Sequence, residues 1–155
     1  MADDSTELEF IEGGVTAPEG FSAAGANIGF RKSPERFDAA LVVSSAQDTV
    51  ATGTFTRNVF CAAPVQVSRS VAAGGKARAV ILNSGIANAA TGEPGRAAAR
   101  AMQEITAQAL SVPADEVFVA STGVIGVQLP TGLFETGVPQ LVSKLSREGS
   151  HDAAL

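Results

Sequence analysis

Apolar residues form short, closely spaced runs in the first half of the chain and recur at helical intervals in the second half. Between positions 13 and 29, five glycines interrupt an otherwise apolar segment, which predicts short strands joined by turns. Later runs rich in Val, Leu, Ile, Phe and Thr, or alternating between apolar and polar residues, predict five further strands. These strands cover residues 37–45, 50–56, 64–69, 77–82 and 116–120.

Two segments carry helical patterns. Residues 96–112 place Ala98 and Met102 on one face at a spacing of four, and Pro94 precedes them where a helix favours proline. Residues 139–145 predict a shorter amphipathic helix.

The predicted elements are several strands followed by strand, loop, helix, strand, loop and helix, which is typical of an α/β or α+β layered sandwich. We expect residues 1–12 to form an acidic tail and residues 13–155 to form a single α/β domain, because 155 residues suffice for one core.

Charged residues make up only 17% of the chain, below the usual quarter of a globular domain. We therefore expect another chain to cover a large part of the surface.

The net charge of −5 argues against binding nucleic acid, which requires a basic surface. No apolar stretch approaches the roughly 18 residues of a membrane span. The acidic N-terminus lacks signal-peptide features, and the single Cys61 excludes an internal disulfide, so we expect a cytoplasmic protein.

Familiar catalytic sets are missing from the sequence. The single histidine, His151, lies near the end of the chain, a poor place for a preorganised base, and Cys61 has apolar neighbours that indicate a core thiol. There is no clustered metal-ligand pattern and no phosphate-binding glycine loop. The acid pairs at residues 3–4 and 115–116 are interpreted as solvated surface.

Two uncharged loops, residues 83–92 and 121–126, each follow a predicted buried strand, which is where ligands bind in many α/β sheets. Their hydroxyl, amide and glycine groups offer neutral donors of the kind that stabilise a developing oxyanion. The alternative is that the polar side chains satisfy turn backbone and the glycines permit positive φ. The candidates for a ligand pocket are Asn83, Ser84, Gly85, Asn88, Thr91 and Ser121.

Five motifs occur in a fixed order: GGVTAPEGFSAAG (13–25), ALVVS (40–44), FTRN (55–58) with AAPVQVSR (62–69), AVILNSG-x-ANA-x-TG (79–92) and ASTGVIG (120–126). In this order they resemble the N-terminal α-chain of the bifunctional ornithine acetyltransferases, also called glutamate N-acetyltransferases, of arginine biosynthesis. The resemblance covers residues 13–145.

The resemblance implies a precursor that cleaves itself before a threonine, which becomes the N-terminus of a β-chain. That threonine would be the nucleophile, and its α-amino group the base. It would pass acetyl from N-acetylornithine to glutamate without a cofactor, although some members also accept acetyl-CoA. Thr122 and Gly123 would form the oxyanion hole. The implied partner is the β-chain from the same precursor, in an α2β2 heterotetramer.

The sequence departs from the family at four positions: Ile86 in place of Asn, Ala90 in place of Cys, Cys61 in place of Lys, and Thr131 in place of Met. It also ends at residues 153–155, ahead of the family's cleavage site. We therefore expect a truncated α-chain that is inactive without a β-chain. Two alternatives stay open: a self-processing aminopeptidase of related fold, and a non-catalytic fragment.

Overall fold

The computed structural model of the protein describes residues 9–155, and its centre is a four-stranded sheet. Strands β1 (Phe21–Ala26), β2 (Ala39–Ser44), β3 (Ala79–Asn83) and β4 (Val117–Ser121) follow one another across it in chain order. Strand β2 pairs antiparallel with both β1 and β3, whereas β4 runs parallel to β3. The carboxyl ends of β3 and β4 therefore lie side by side.

In the described part of the chain, four helices surround the sheet: α1 (Ala63–Gly74), α2 (Gly92–Leu110), α3 (Gly132–Ser143) and the five-residue α4 (Ser150–Ala154). Short 3-10 turns cover Gly14–Thr16 and Ala114–Glu116. Helix α2 lies between α1 and α3 and belongs to the crossover connection that joins the parallel strands β3 and β4. The predicted α/β layered fold is confirmed. No helix in residues 9–155 is both long enough and apolar enough to cross a membrane.

The core lies on one face of the sheet. A row of paired residues, Ala24, Leu41, Ile81 and Val119, is almost fully buried there beneath α2 and α3. Met102 of α2 is also fully buried in this cluster. Burial of each large apolar side chain stabilises the fold by about 1.5–3 kcal/mol, so this face holds the layers together.

The opposite face of the sheet is only partly covered. Helix α4 packs on β1 and β2, where the backbone at Asp152 comes so close to Gly25 that a Cβ there would lie 1.9 Å from its carbonyl oxygen. Across β3 and β4, the paired residues Val80 and Phe118 are half-buried beside an open groove of about 500 Å³. This half of the face is apolar and accessible.

Side chains and a neighbouring segment occupy the two edges of the sheet. The buried Ser68 hydroxyl of α1 donates to the carbonyl of Val119 (2.8 Å) and accepts from its N–H (3.1 Å). At the other edge, Ala23 and Ser146 exchange two backbone hydrogen bonds.

The sequence predictions for residues 37–45, 77–82 and 116–120 are confirmed as β2, β3 and β4. The helix predicted at residues 96–112 is confirmed as α2, which begins at Gly92 so that Pro94 lies in its first turn. The prediction for 139–145 gave the right element with the wrong start, since Pro139 lies inside α3 rather than at its beginning. The buried residues Phe134, Val138 and Leu141 of α3 show the helical spacing.

Two strand predictions are wrong. Residues 50–56 form only an isolated bridge between Val50 and Lys76, because β2 is already paired on both sides by β1 and β3. Residues 64–69 belong to α1, in which Pro64 occupies the first turn, where its missing N–H costs nothing. Gly75, with φ of +73°, ends this helix in the left-handed conformation.

The predicted acidic tail falls largely on residues 1–8, which lie outside the described residues, as does the acid pair at 3–4.

Candidate functional site

The two loops predicted from the sequence meet at the carboxyl ends of β3 and β4, where they continue the parallel pairing of the strands. The N–H of Thr122 donates to the carbonyl of Asn83 (3.0 Å), and the N–H of Val124 donates to the carbonyl of Gly85 (3.1 Å). Ala87 in turn donates its N–H to the carbonyl of Val124 (2.9 Å). This ladder fixes the position of each loop relative to the other.

Gly123 is at the closest approach of the two loops. A Cβ added to it would lie 2.3 Å from the carbonyl carbon of Gly85 and 2.6 Å from the backbone nitrogen of Ile86. Its φ of +130° is also a conformation that other residues rarely adopt. Glycine is therefore required at this position for both space and conformation.

Thr122 and Gly123 together present two neutral donors at the surface. The N–H of Gly123 lies between the paired amides of Thr122 and Val124 and has no acceptor within residues 9–155. The neighbouring Thr122 hydroxyl makes only a long contact of 3.4 Å with the carbonyl of Asn83. Both residues are exposed. Adjacent, prepositioned donors of this kind can stabilise an oxygen that gains negative charge during a reaction.

Asn83 and Ser121 are register partners at the last paired positions of β3 and β4. The Asn83 side chain is 3% exposed, and its Nδ2 donates to the carbonyl of Ile86 (2.9 Å). Its Oδ1 and the Ser121 Oγ are both buried without a partner in the described part of the chain. A buried polar group left unpaired costs about 1–3 kcal/mol, so Asn83 and Ser121 are both costly at these positions for stability alone.

Ser84 connects the site to the segment between β1 and β2. Its N–H donates to the carbonyl of Asp38 (2.8 Å), and its hydroxyl accepts from Nε and Nη2 of Arg31 (3.3 Å each). The carboxylate of Asp38 is buried and accepts from the N–H groups of Ile28 (2.7 Å) and Arg31 (2.8 Å). The sequence analysis did not identify Arg31 or Asp38, because neither lies in the candidate loops and no local motif marks them.

Asn88 and Thr91 form a separate buried group at the start of α2. The Thr91 hydroxyl donates to Oδ1 of Asn88 (2.6 Å), and Nδ2 of Asn88 donates to the carbonyl of Gly95 (2.8 Å). Gln128 adds a bond from its Nε2 to the carbonyl of Thr91 (3.1 Å). These contacts are those expected if both side chains support the loop, whereas the other candidates surround the meeting point of the two strands.

A cavity of about 220 Å³ opens at the strand ends. Asn83, Ser84 and Thr122 line it together with residues 152–155, which include the end of α4. It is smaller than a typical drug-sized pocket and suits a small molecule of the size of an amino acid.

The remaining reactive side chains lie elsewhere. Cys61 is half-buried beside Val59 and Phe60, at the rim of a groove, so the expected core position is wrong. His151 is exposed on α4. Within residues 9–155, no three His, Cys, Asp or Glu side chains are grouped so that they could hold a metal ion.

Comparison with known proteins gives one family. The model of the ArgJ family matches residues 22–155. Among curated proteins, an arginine biosynthesis bifunctional protein ArgJ from a Synechococcus strain is 46% identical over 145 residues, which are 93% of this chain and 34% of that protein. The protein of the same name from Chlorobaculum tepidum is 50% identical over 126 residues, or 80% of this chain and 30% of that one.

Two solved structures share the fold. An ornithine acetyltransferase from Mycobacterium tuberculosis, complexed with ornithine, superposes with a TM-score of 0.87 at 45% identity, covering 91% of this chain and 76% of that chain. ArgJ from Bacillus halodurans superposes with a TM-score of 0.82 at 38% identity, covering 90% and 72%. The chain spans about a third of the length of the curated relatives it matches.

Proposed function

This chain belongs to the ArgJ family, and we propose that it is the α-chain of a glutamate N-acetyltransferase. The complete enzyme would move acetyl from N2-acetyl-L-ornithine to L-glutamate. The chain would supply the oxyanion hole, and a β-chain would supply the nucleophile. No cofactor is needed for this exchange, and acetyl-CoA would be at most an alternative donor.

The proposed reaction has two halves. The hydroxyl of the β-chain's N-terminal threonine adds to the acetyl carbonyl, its proton passes to the threonine's own α-amino group, and the carbonyl oxygen becomes an oxyanion. Collapse of this intermediate breaks the C–N bond, and the departing ornithine amine takes the proton. The amine of glutamate then attacks the acetyl-threonine ester through a second oxyanion. The ester C–O bond breaks, and the proton of the amine passes by way of the α-amino group to the threonine oxygen, which releases N-acetylglutamate and restores the threonine.

The observation that carries this proposal is the pair of donors at Thr122 and Gly123. The Gly123 N–H has no acceptor within residues 9–155, and the Thr122 hydroxyl is held only by a long contact. In the transition state both would bind the oxyanion more strongly than they bind the neutral carbonyl of the substrate. This difference lowers the barrier, and each such donor is typically worth about 10²–10³ in rate.

The partner proposal rests on exposed apolar surface. Besides the open half of the sheet around Val80 and Phe118, the apolar side chains of Val59, Phe60 and Ile125 are exposed by 100%, 76% and 66%. Since the relatives are about three times as long as the chain, the rest of the family polypeptide is available to cover these surfaces. We propose that the β-chain does so, in an α2β2 enzyme of the cytoplasm.

The test compares Thr122→Ala with Thr122→Ser in the enzyme assembled with its β-chain. We expect Thr122→Ala to lower kcat for N-acetylglutamate formation by ~10²-fold or more, and Thr122→Ser to stay within about tenfold of the parent, because serine keeps the hydroxyl. Equal rates for both variants and the parent would remove Thr122 from the mechanism. Hydrolysis of peptide amides without acetyl transfer would instead identify the aminopeptidase alternative.

A further inference from the structure

Asn83 connects the two loops through three contacts. Its carbonyl accepts the N–H of Thr122 (3.0 Å) and lies 3.4 Å from the Thr122 hydroxyl. Its side-chain Nδ2 donates to the carbonyl of Ile86 (2.9 Å), three residues beyond the end of β3. One buried residue thus contacts the loop that carries the proposed donors and also the loop that packs against it.

The hydrogen bond from the Asn83 side chain to Ile86 affects the position of Gly123 more than the position of Thr122. The backbone of Gly85 and Ile86 is the surface against which Gly123 packs, within 2.3–2.6 Å of where a Cβ would be. The carbonyl of Ile86 belongs to the next peptide along the chain, so the bond from Asn83 restrains Ile86 and, through it, the Gly85–Ile86 peptide against which Gly123 packs. The Thr122 contacts, in contrast, use the main chain of Asn83 and survive replacement of its side chain.

We propose that the Asn83 side chain is a positioning residue for the Gly123 N–H, acting through the carbonyl of Ile86. This inference rests on the proposed function, because it assigns Asn83 a place in the same oxyanion hole. The Asn83 side chain touches no reacting atom. It keeps one donor at the distance that the transition state requires, where a misplacement of about 1 Å can cost ~10²-fold in rate.

The burial of Asn83 supports this role over a purely structural one. The side chain is 3% exposed, and its Oδ1 has no partner within residues 9–155. An apolar residue of similar size would avoid that unpaired oxygen, which makes asparagine a costly choice for stability alone. Asparagine provides an N–H donor to the carbonyl of Ile86, which leucine lacks.

The experiment is a set of double-mutant cycles in the assembled enzyme. Asn83→Leu keeps the size and removes the donor. In the parent enzyme we expect it to lower kcat for acetyl transfer about tenfold and to leave KM within threefold. On a Thr122→Ala background we expect the same tenfold factor, because Thr122 is an independent donor. On a Gly123→Ala background, where the loop is already displaced, we expect less than threefold.

Controls separate positioning from stability. Ser68→Ala removes a buried hydrogen-bonding side chain at the far edge of β4 and should lower stability while leaving kcat unchanged. The amount of acetyl-enzyme formed per chain counts correctly assembled enzyme for every variant. If Asn83→Leu fails to assemble, Asn83→Ala tests the same point, because the smaller side chain fits the site and also lacks the donor.

The outcomes are distinct. Equal loss from Asn83→Leu in all three backgrounds, or no loss in the parent, overturns the positioning role even where Thr122→Ala behaves as expected. If Thr122→Ala and Gly123→Ala have no effect on kcat, the oxyanion-hole assignment itself fails, and the Asn83 inference fails with it.

Discussion

Replacing Gly123 by alanine tests whether the contact between the two loops determines activity. The added Cβ would lie 2.3 Å from the carbonyl carbon and 2.4 Å from the carbonyl oxygen of Gly85, and both atoms are backbone. Neither can rotate away as a flexible side chain would. One loop must therefore move, and the other donor, Thr122, would move with it because the two residues share a peptide bond.

The size of the effect follows from these distances. Restoring ordinary contact at about 3.4 Å from an approach of 2.3 Å requires a backbone displacement of about 1 Å. Displacement on that scale typically costs ~10²-fold in rate. The positive φ of +130° adds a conformational cost of about 1–3 kcal/mol to the stability of the loop.

Gly126 in the same loop provides the matched control. Its φ is +90°, but a Cβ there would have no heavy atom within 4 Å. Gly126→Ala therefore carries the conformational cost without the steric one, and we expect kcat to stay within about threefold of the parent. The assay is N-acetylglutamate formation from N-acetylornithine and glutamate by the assembled enzyme, with urea unfolding of each variant chain in parallel.

The rates of the two alanine variants together test whether the contact between the two loops at Gly123 determines activity. A loss of ~10²-fold in kcat for Gly123→Ala and a near-parent rate for Gly126→Ala would support the reasoning. Equal rates for the two variants would refute it, since the reasoning depends on the approach of the facing backbone, which is present at Gly123 and absent at Gly126.

The remaining predictions concern stability, measured as the free energy of unfolding in urea. Ser68→Ala should cost about 2–3 kcal/mol, because it leaves both an N–H and a carbonyl of β4 unpaired in a buried site, whereas the exposed Ser70→Ala should change stability by less than about 0.5 kcal/mol. Gly137→Ala should destabilise the fold by about 1–3 kcal/mol, since its Cβ would overlap the Ile28 side chain at 2.4 Å, while Gly132→Ala in the same helix meets open space and should be neutral or stabilising by up to about 1 kcal/mol. A smaller cost for Ser68 than for Ser70, or a stabilising Gly137→Ala, would contradict the packing described here.

Sequence reasoning identified the two loops that meet at the candidate site because the signals there are local. Long apolar runs predict β3 and β4. The uncharged polar loops that follow these runs mark the ends of the strands within a few residues. Their juxtaposition follows from one topological fact, the parallel pairing of the two strands, which the order of elements suggests. The same reasoning missed Arg31, since its contact with Ser84 joins residues 53 positions apart.

The errors in secondary structure have a common physical cause. The segment from Pro64 to Arg69 alternates as a strand would, but its serine and apolar residues also fit a helical face. Tertiary context decides between the two: Ser68 satisfies the edge of β4 only from a helix lying alongside it. Such a requirement depends on where a distant strand ends up, so a short window of sequence cannot reveal it.

The occupied edges of the sheet restrict how this protein can associate. A partner that added a strand to β4 would have to displace the Ser68 hydroxyl from Val119 and the Gln103 amide from the carbonyl of Val117. At β1, it would have to displace the chain's own Ser146. Recognition by backbone pairing, which is tolerant of sequence, is therefore disfavoured at both edges. We therefore expect a partner to pack its side chains against a face of the sheet. A peptide that mimics a β-strand should compete poorly with such a partner for binding.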